Sequence, residues 1–109
     1  MKKFDSRYNK IVWDIKKKIL EVNPSAEIYL YGSRARGEAQ KESDWDILIL
    51  LNEDNFHRKD EKLFRDNLFE LELNYEEIVS IIAFSKNEWY NKHSITPFYE
   101  NVMKEGIKL

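Results

Sequence analysis

The sequence predicts a single α/β domain, in which helices alternate with short strands along the chain. The first observation is an amphipathic helical pattern near the N-terminus, and the second is a set of short apolar runs further along. The third is a length of 109 residues without an internal repeat, a low-complexity stretch or a linker. A chain of this length supports one hydrophobic core, so we expect residues 1–109 to form one domain.

The first elements are predicted to be a helix, a strand and a short second helix. From Ser6 to Val22 apolar residues recur on one helical face, with lysines opposite, and Asp5 or Ser6 is the expected cap. Residues 26–31 are rich in branched and aromatic side chains and precede a glycine, which is typical of a strand. Ser33 is the expected N-cap of the short helix that follows.

The middle of the chain contains the clearest strand signal. Residues 44–51 end in a continuous apolar run, which indicates a strand that is covered on both faces. Residues 55–73 then have apolar side chains at helical spacing. A strand followed by a helix is therefore expected here.

The C-terminal third is predicted to hold one more strand and two helices. Residues 77–84 form the third strand, and Ser85 and Glu88 have the spacing of a capping box before a short helix through residues 89–91. Thr96 and Pro97 open the last helix, because proline is favoured at the first helical position, and this helix is expected to end at Gly106.

Charge and cysteine content exclude several classes of protein. The 18 Lys and Arg residues against 20 Asp and Glu give a net charge of −2, which argues against a nucleic-acid partner. The absence of cysteine excludes disulfide scaffolds and thiolate metal sites, and it fits a reducing compartment. With no apolar run near ~20 residues, we expect no membrane span and a cytoplasmic location.

Two aspartates lie at the start of the strongest predicted strand. Asp44 and Asp46 share one face of that strand, with Trp45 on the other, because side chains alternate along a strand. Carboxylates this close repel each other unless a cation lies between them. Oxygen ligands favour Mg²⁺ or Mn²⁺ over softer metals, although a solvated start of a strand is the alternative explanation.

A glycine-serine pair precedes the aspartates by ten residues. Gly32 lets the backbone approach a ligand closely, and Ser33 offers a hydroxyl and nearby N–H groups. Arg34 and Arg36 follow, and the guanidinium fork matches phosphate oxygens, although surface arginines often bind nothing specific. A phosphate site facing a metal site has the parts needed for nucleotidyl transfer.

The stretch GSRARGEAQKESDWD, followed by the apolar run ILILL, resembles the signature of the DNA polymerase beta nucleotidyltransferase superfamily. The short chain is similar to its minimal nucleotidyltransferase (MNT-type) branch. This resemblance implies a small mixed β-sheet with helices packed against it. It also implies that Gly32 and Ser33 contact the triphosphate of an NTP and that Asp44 and Asp46 hold the metal ions.

Members of the superfamily usually carry a third carboxylate on the next strand, and this chain departs from that pattern. Alignment of residues 77–84 with the family places Ser80 where an aspartate is expected. Serine is not an anionic ligand. Glu77 is the alternative, but its parity puts it on the face opposite to Ser80.

The resemblance implies transfer of a nucleoside monophosphate, with ATP as the expected donor, to a hydroxyl of a protein or a small molecule. Small members of the family resemble the antitoxin half of toxin–antitoxin pairs with a HEPN-type partner, so a partner protein of that type or a homo-oligomer is expected to complete the acceptor site. The alternative is a binding module with weakened catalysis that acts by contact with its partner.

Overall fold

A computed structural model describes residues 5–109, apart from the side chain of Arg58. Within these residues the chain alternates helices and strands. The helices within these residues are α1 (Ser6–Val22), α2 (Ser33–Arg36), α3 (Glu61–Tyr75), α4 (Lys86–Asn91) and α5 (Pro97–Glu105). The strands are β1 (Glu27–Tyr31), β2 (Trp45–Leu51), β3 (Val79–Ser85) and β4 (Ile107–Lys108). Short 3₁₀ turns at Arg58–Asp60 and His93–Ile95 precede α3 and α5.

The four strands form one mixed sheet in the order β3-β2-β1-β4. β1 runs antiparallel to β2 and to β4, whereas β2 and β3 are parallel. The predicted fold class, a small mixed sheet with helices packed against it, is therefore confirmed. The extent of the domain over residues 1–109 stays a prediction, and residues 1–4 lie outside the described part of the chain.

Both faces of the sheet are covered, as the apolar run of β2 predicts. On the first face, α1 and α3 pack against alternate residues of β2, and the core there includes Ile11, Ile15, Ile19, Ile47, Ile49, Phe64 and Leu68. On the second face, the buried cluster consists of Leu48, Leu50, Phe84, Trp89 and Val102. Asp46 shares the second face with Leu48 but is only partly buried, so the polar start of β2 lies beyond the apolar cluster.

Most of the predicted caps are present. The side chain of Asp5 accepts a hydrogen bond from the backbone N–H of Tyr8 (2.7 Å) at the start of α1. Ser85 caps α4 and Thr96 caps α5, each by accepting from a backbone N–H three residues further on. These short-range signals are reliable because both partners lie within one helical turn.

Three predicted boundaries were wrong. α2 has Gly32, not Ser33, as its N-cap, because the backbone turns at the glycine. α3 begins at Glu61 instead of residue 55, since a 3₁₀ turn precedes it, closed by a bond from Asp60 N–H to the carbonyl of His57 (2.8 Å). β3 begins at Val79, two residues later than predicted.

One strand has no precursor in the sequence analysis. β4 contains two residues, and they pair with Tyr29 and Leu30 of β1. A strand this short has too few residues to show alternation, so its partner alone defines it.

The outer edge of β3 is partly covered by two glutamates of α3. Glu72 Oε2 accepts from Val79 N–H (2.9 Å), and Glu61 Oε2 accepts from Ala83 N–H (2.8 Å). Both donors lie on the side of β3 away from β2, where a strand edge would otherwise offer unpaired groups. These two bonds fix β3 against α3 and so fix the position of Ser80 on the sheet.

None of the helices formed by residues 5–109 is long and apolar enough to cross a membrane.

Candidate functional site

The turn between β1 and α2 depends on a glycine. Gly32 has φ +74° and ψ −158°, a backbone conformation that other residues rarely adopt. Its carbonyl accepts from the backbone N–H groups of Ala35 (3.0 Å) and Arg36 (3.1 Å), which closes the single turn of α2. A Cβ on Gly32 would overlap Asp46 Oδ2, so the turn approaches this carboxylate through a space that only glycine leaves open.

The two aspartates lie on one face at the start of β2, as the alternation predicts. Asp44 directly precedes β2, Asp46 is its second residue, and Trp45 between them is 1% exposed and packs in the core of the other face. Asp46 lies between Tyr31 of β1 and Ser80 of β3 in the strand register. The arrangement therefore brings two carboxylates, a hydroxyl and the glycine turn together.

The surroundings of Asp46 disfavour its charged form. Burial raises the pKa of the Asp46 carboxyl, the neighbouring Asp44 carboxylate raises it further, and the Arg36 guanidinium acts in the opposite direction. Burial, together with the charge of Asp46, raises the pKa of Tyr31 to about 12. A cation bound between the carboxylates would lower the pKa of Asp46 and reduce its effect on Tyr31, because the cation would stabilise the charged form of each carboxyl group.

Ser80 is the residue that the sequence alignment puts at the position of the third carboxylate. It is the register partner of Asp46 on the parallel strand β3, and its Oγ donates a hydrogen bond to Asp44 Oδ2 (2.9 Å). Among residues 5–109, no group of three or more acidic, histidine or cysteine side chains is arranged to hold a metal ion together. The site thus contains two carboxylates and one neutral hydroxyl.

Glu77 is engaged elsewhere. Its Oε1 pairs with Arg7 Nη1 (3.1 Å) and lies 3.7 Å from Arg34 Nη2, and the side chain is 9% exposed. It precedes β3 and does not lie within it, so it is not paired with Asp46 in the strand register. A role for Glu77 as the third carboxylate would require it to leave both arginines.

The two arginines of α2 have different surroundings. The Arg34 side chain is 12% exposed, and it binds the backbone of the loop before Asp44. The Arg36 side chain is 39% exposed and pairs with Glu38 (2.9 Å) and with Glu105 of α5 (3.5 Å). Contacts to phosphate stay a prediction for both, but Arg36 is the more accessible and is the one whose charge affects the pKa of Asp46.

The donor set fits a hard divalent cation. Asp44 and Asp46 supply carboxylate oxygens on one face, and Mg²⁺ and Mn²⁺ bind such oxygens while keeping places for water or substrate phosphate. Burial and the neighbouring Asp44 carboxylate raise the pKa of Asp46, and a bound cation would act in the opposite direction. The chemistry that fits is the binding of a metal-complexed phosphate ester or anhydride.

Sequence reasoning did not identify Tyr31 as a neighbour of Asp46, although its position directly before Gly32 was a usable signal. It also missed the contacts of Arg7 and Tyr8 with this region. Arg7 reaches Glu77, and Tyr8 Oη donates to the carbonyl of Arg34 (3.1 Å). No sequence signal could have found these contacts, because they join residues 26 and 70 positions apart.

Comparison with known proteins was made on both sequence and structure. Residues 12–109 match the Nucleotidyltransferase domain family (NTP_transf_2). No curated protein has a significantly similar sequence.

Several solved structures have a similar fold. A toxin–antitoxin structure with AMP-PNP has a TM-score of 0.62 and 20% identity, over 93% of this chain and 70% of that chain. A mutant of the MntA–HpeT toxin–antitoxin has a TM-score of 0.59 and 18% identity over the same shares. A Sulfolobus solfataricus protein assigned as a nucleotidyltransferase has a TM-score of 0.56 and 21% identity, over 99% of this chain and 89% of that chain.

Proposed function

Because the chain belongs to the Nucleotidyltransferase domain family, we propose that it transfers a nucleoside monophosphate from an NTP, with ATP as the donor, to a hydroxyl of a protein or small-molecule acceptor. The observation that carries this proposal is the approach of the Gly32 turn to Asp46, with Asp44 on the same face. In this proposal phosphate binds at the turn, beside a divalent cation that the two carboxylates hold.

Each residue of the site has a role in this proposal. Asp44 and Asp46 hold Mg²⁺ or Mn²⁺, which neutralises charge on the phosphate oxygens when bound. Gly32 and Ser33 lie against the triphosphate, because the missing Cβ leaves room for it to approach the carboxylates. Arg36 contacts phosphate oxygens once its exposed ion pairs with Glu38 and Glu105 exchange for that ligand.

The reaction breaks a phosphoanhydride bond of the NTP and forms a phosphate ester bond to the acceptor. The acceptor oxygen attacks the α-phosphorus, the bond to the β-phosphate oxygen breaks, and pyrophosphate leaves. The hydroxyl proton must go to a base, and Ser80 is not one at neutral pH. We therefore assign proton acceptance to a group of the acceptor or to solvent, not to β3.

The acceptor surface is proposed to come from a partner. The toxin–antitoxin structures share the fold of this chain, and this supports a role as the antitoxin half of a pair whose partner is a HEPN-type protein. A second copy of the chain is the other possible source of an acceptor groove. A cytoplasmic location accords with such a pair.

A second function is favoured by one observation, the serine at the register position beside Asp46. With two carboxylates instead of three, the fold can act as a binding module that contacts its partner and transfers nucleotide slowly or not at all. Calorimetric titration with ATP in the presence and absence of Mg²⁺ separates the two functions. A contact module without a nucleotide site gives no metal-dependent heat, whereas the transferase does.

The proposed activity is tested by incubating the protein with labelled ATP, Mg²⁺ and a candidate partner. We expect label on the partner with the wild type and loss of transfer in Asp44→Asn and in Asp46→Asn. The matched control is Asp54→Asn, since Asp54 is an exposed carboxylate beyond the opposite end of β2. Transfer that is equal in all four proteins would refute the assignment of the site.

A further inference from the structure

We propose that Arg34 is a positioning residue that fixes Asp44 for metal binding, and not a ligand of the nucleotide phosphates. This inference rests on the proposed function only in that Asp44 must be a metal ligand. It is carried by the contacts of the Arg34 guanidinium, which touches both chain neighbours of Asp44.

On one side, the guanidinium holds the residue before Asp44. The carbonyl of Ser43 accepts two hydrogen bonds from Arg34, from Nη2 (2.7 Å) and from Nε (3.3 Å). Nη2 also reaches the carbonyl of Lys41 (3.4 Å). The loop is itself closed by bonds between Gln40 and Ser43, so Arg34 holds a compact turn and not a loose strand of chain.

On the other side, the guanidinium lies over the residue after Asp44. Its Cζ is 4.5 Å from the ring centroid of Trp45, within the range of a cation–π contact. Trp45 is buried, and its backbone N–H donates to the carbonyl of Ile78 (2.9 Å), so it cannot shift without disturbing β2 and β3. Asp44 therefore lies between the Ser43 carbonyl and the Trp45 ring, and the Arg34 guanidinium contacts both.

Glu77 and Tyr8 also contact Arg34. Glu77 Oε1 lies 3.7 Å from Arg34 Nη2, and both side chains are largely buried. Tyr8 donates to the Arg34 carbonyl and packs against Trp45 with a ring centroid distance of 5.1 Å. An arginine surrounded in this way would have to lose several contacts to reach a phosphate.

Arginine suits this task better than lysine. A guanidinium presents planar donors along one edge and an apolar-facing plane that stacks on aromatic rings, whereas an ammonium is a single point charge. Only the guanidinium can bind the Ser43 carbonyl with two nitrogens while its plane contacts Trp45. The variant Arg34→Lys therefore keeps the charge and removes the geometry.

The test measures Mn²⁺ binding without any nucleotide, by loss of the free-ion EPR signal. With no phosphate present, a phosphate ligand has no effect, but a positioning residue still does. We expect Arg34→Lys to weaken Mn²⁺ binding about tenfold, the lower end of what disturbed support of metal ligands costs. The matched control is Arg65→Lys, the same change at an exposed arginine of α3 outside the site, which we expect to leave Mn²⁺ binding unchanged.

Two further measurements separate positioning from unfolding. Thermal unfolding reports whether Arg34→Lys is folded at the assay temperature, and hydrogen exchange of residues 40–44 reports whether the turn has loosened. We expect faster exchange there in Arg34→Lys and wild-type exchange in Arg65→Lys.

The two ways of failing are distinguishable. If the wild type binds Mn²⁺ and Arg34→Lys binds it equally well, the assignment of Arg34 is overturned while the proposed function stands. If the wild type and Asp44→Asn are alike in binding no Mn²⁺, the proposed metal site is overturned, and the role of Arg34 with it.

Discussion

Replacement of Gly32 by alanine tests the closest contact in the candidate site. The glycine has φ +74° and ψ −158°, and holding a residue with a side chain there costs about 1–3 kcal/mol. The new Cβ would also overlap Asp46 Oδ2, so the carboxylate must rotate away from its place beside Asp44. We therefore expect Gly32→Ala to lower stability and to impair metal binding together.

The magnitude is large for a domain of this size. A loss of about 1–3 kcal/mol is a substantial part of the roughly 5–15 kcal/mol that a native domain has in total. At about 4–8 °C for each kcal/mol, the melting temperature should fall by at least a few degrees. Urea unfolding followed by tryptophan fluorescence measures this loss, because Trp45 and Trp89 are buried.

A double-mutant cycle separates backbone strain from the overlap. Asp46→Ala removes the oxygen that the new Cβ meets, so Gly32→Ala should cost less in that background than in the wild type. Gly37→Ala is the matched control, since Gly37 also has a positive φ of +73° but is exposed; it should lose stability and keep Mn²⁺ binding. The reasoning is refuted if Gly32→Ala is as stable as the wild type and binds Mn²⁺ normally.

Three other predictions concern neighbouring parts of the molecule. Asp46→Asn should raise the free energy of unfolding in EDTA at pH 7. Burial and Asp44 raise the pKa of Asp46, so ionisation of this carboxyl destabilises the fold as pH rises through that pKa, and asparagine does not ionise. This gain should vanish below the ordinary aspartate pKa; urea titrations at several pH values that show a constant gain would contradict it. Ser80→Asp should strengthen Mn²⁺ binding roughly tenfold, equivalent to ~1.4 kcal/mol, because it adds a third carboxylate, whereas the neutral variant Ser80→Asn should not. The Mn²⁺ affinities are measured by EPR titration, and equal affinities of the two variants would count against the site. Glu61→Ala should lower the free energy of unfolding in urea by about 1–3 kcal/mol, because the 4% exposed glutamate accepts a hydrogen bond from Ala83 N–H. Glu61→Gln should recover most of this loss. Equal losses in both variants would argue that the ion pair with Arg65 dominates instead.

The candidate site was largely predictable where its residues are close in sequence. The alternation of β2 alone puts Asp44 and Asp46 on one face, and the glycine before Ser33 predicts the turn. Alignment with the family put Ser80 at the position of the third carboxylate, and the structure makes it the register partner of Asp46 on the parallel strand β3. The roles of these residues stay predictions until they are tested.

The surroundings of the arginines were not predictable. Arg34 and Arg36 look alike in the sequence, yet one is held by Ser43 and Trp45 and the other by exposed glutamates. The difference arises from the side of the single turn of α2 on which each side chain emerges. That side is set by how α2 sits on the sheet, which no local pattern records.

The sequence by itself determined the order of the elements up to α5, the caps of α1, α4 and α5, and the shared face of the two aspartates. Periodicity and capping act within one or two turns of chain. Only the tertiary structure decided that β4 pairs with β1, that Glu77 faces Arg7, and that Arg34 lies on Trp45. These contacts depend on chain segments brought together from a distance. Their geometry is set by the packing of the whole core, which a single stretch of sequence does not specify.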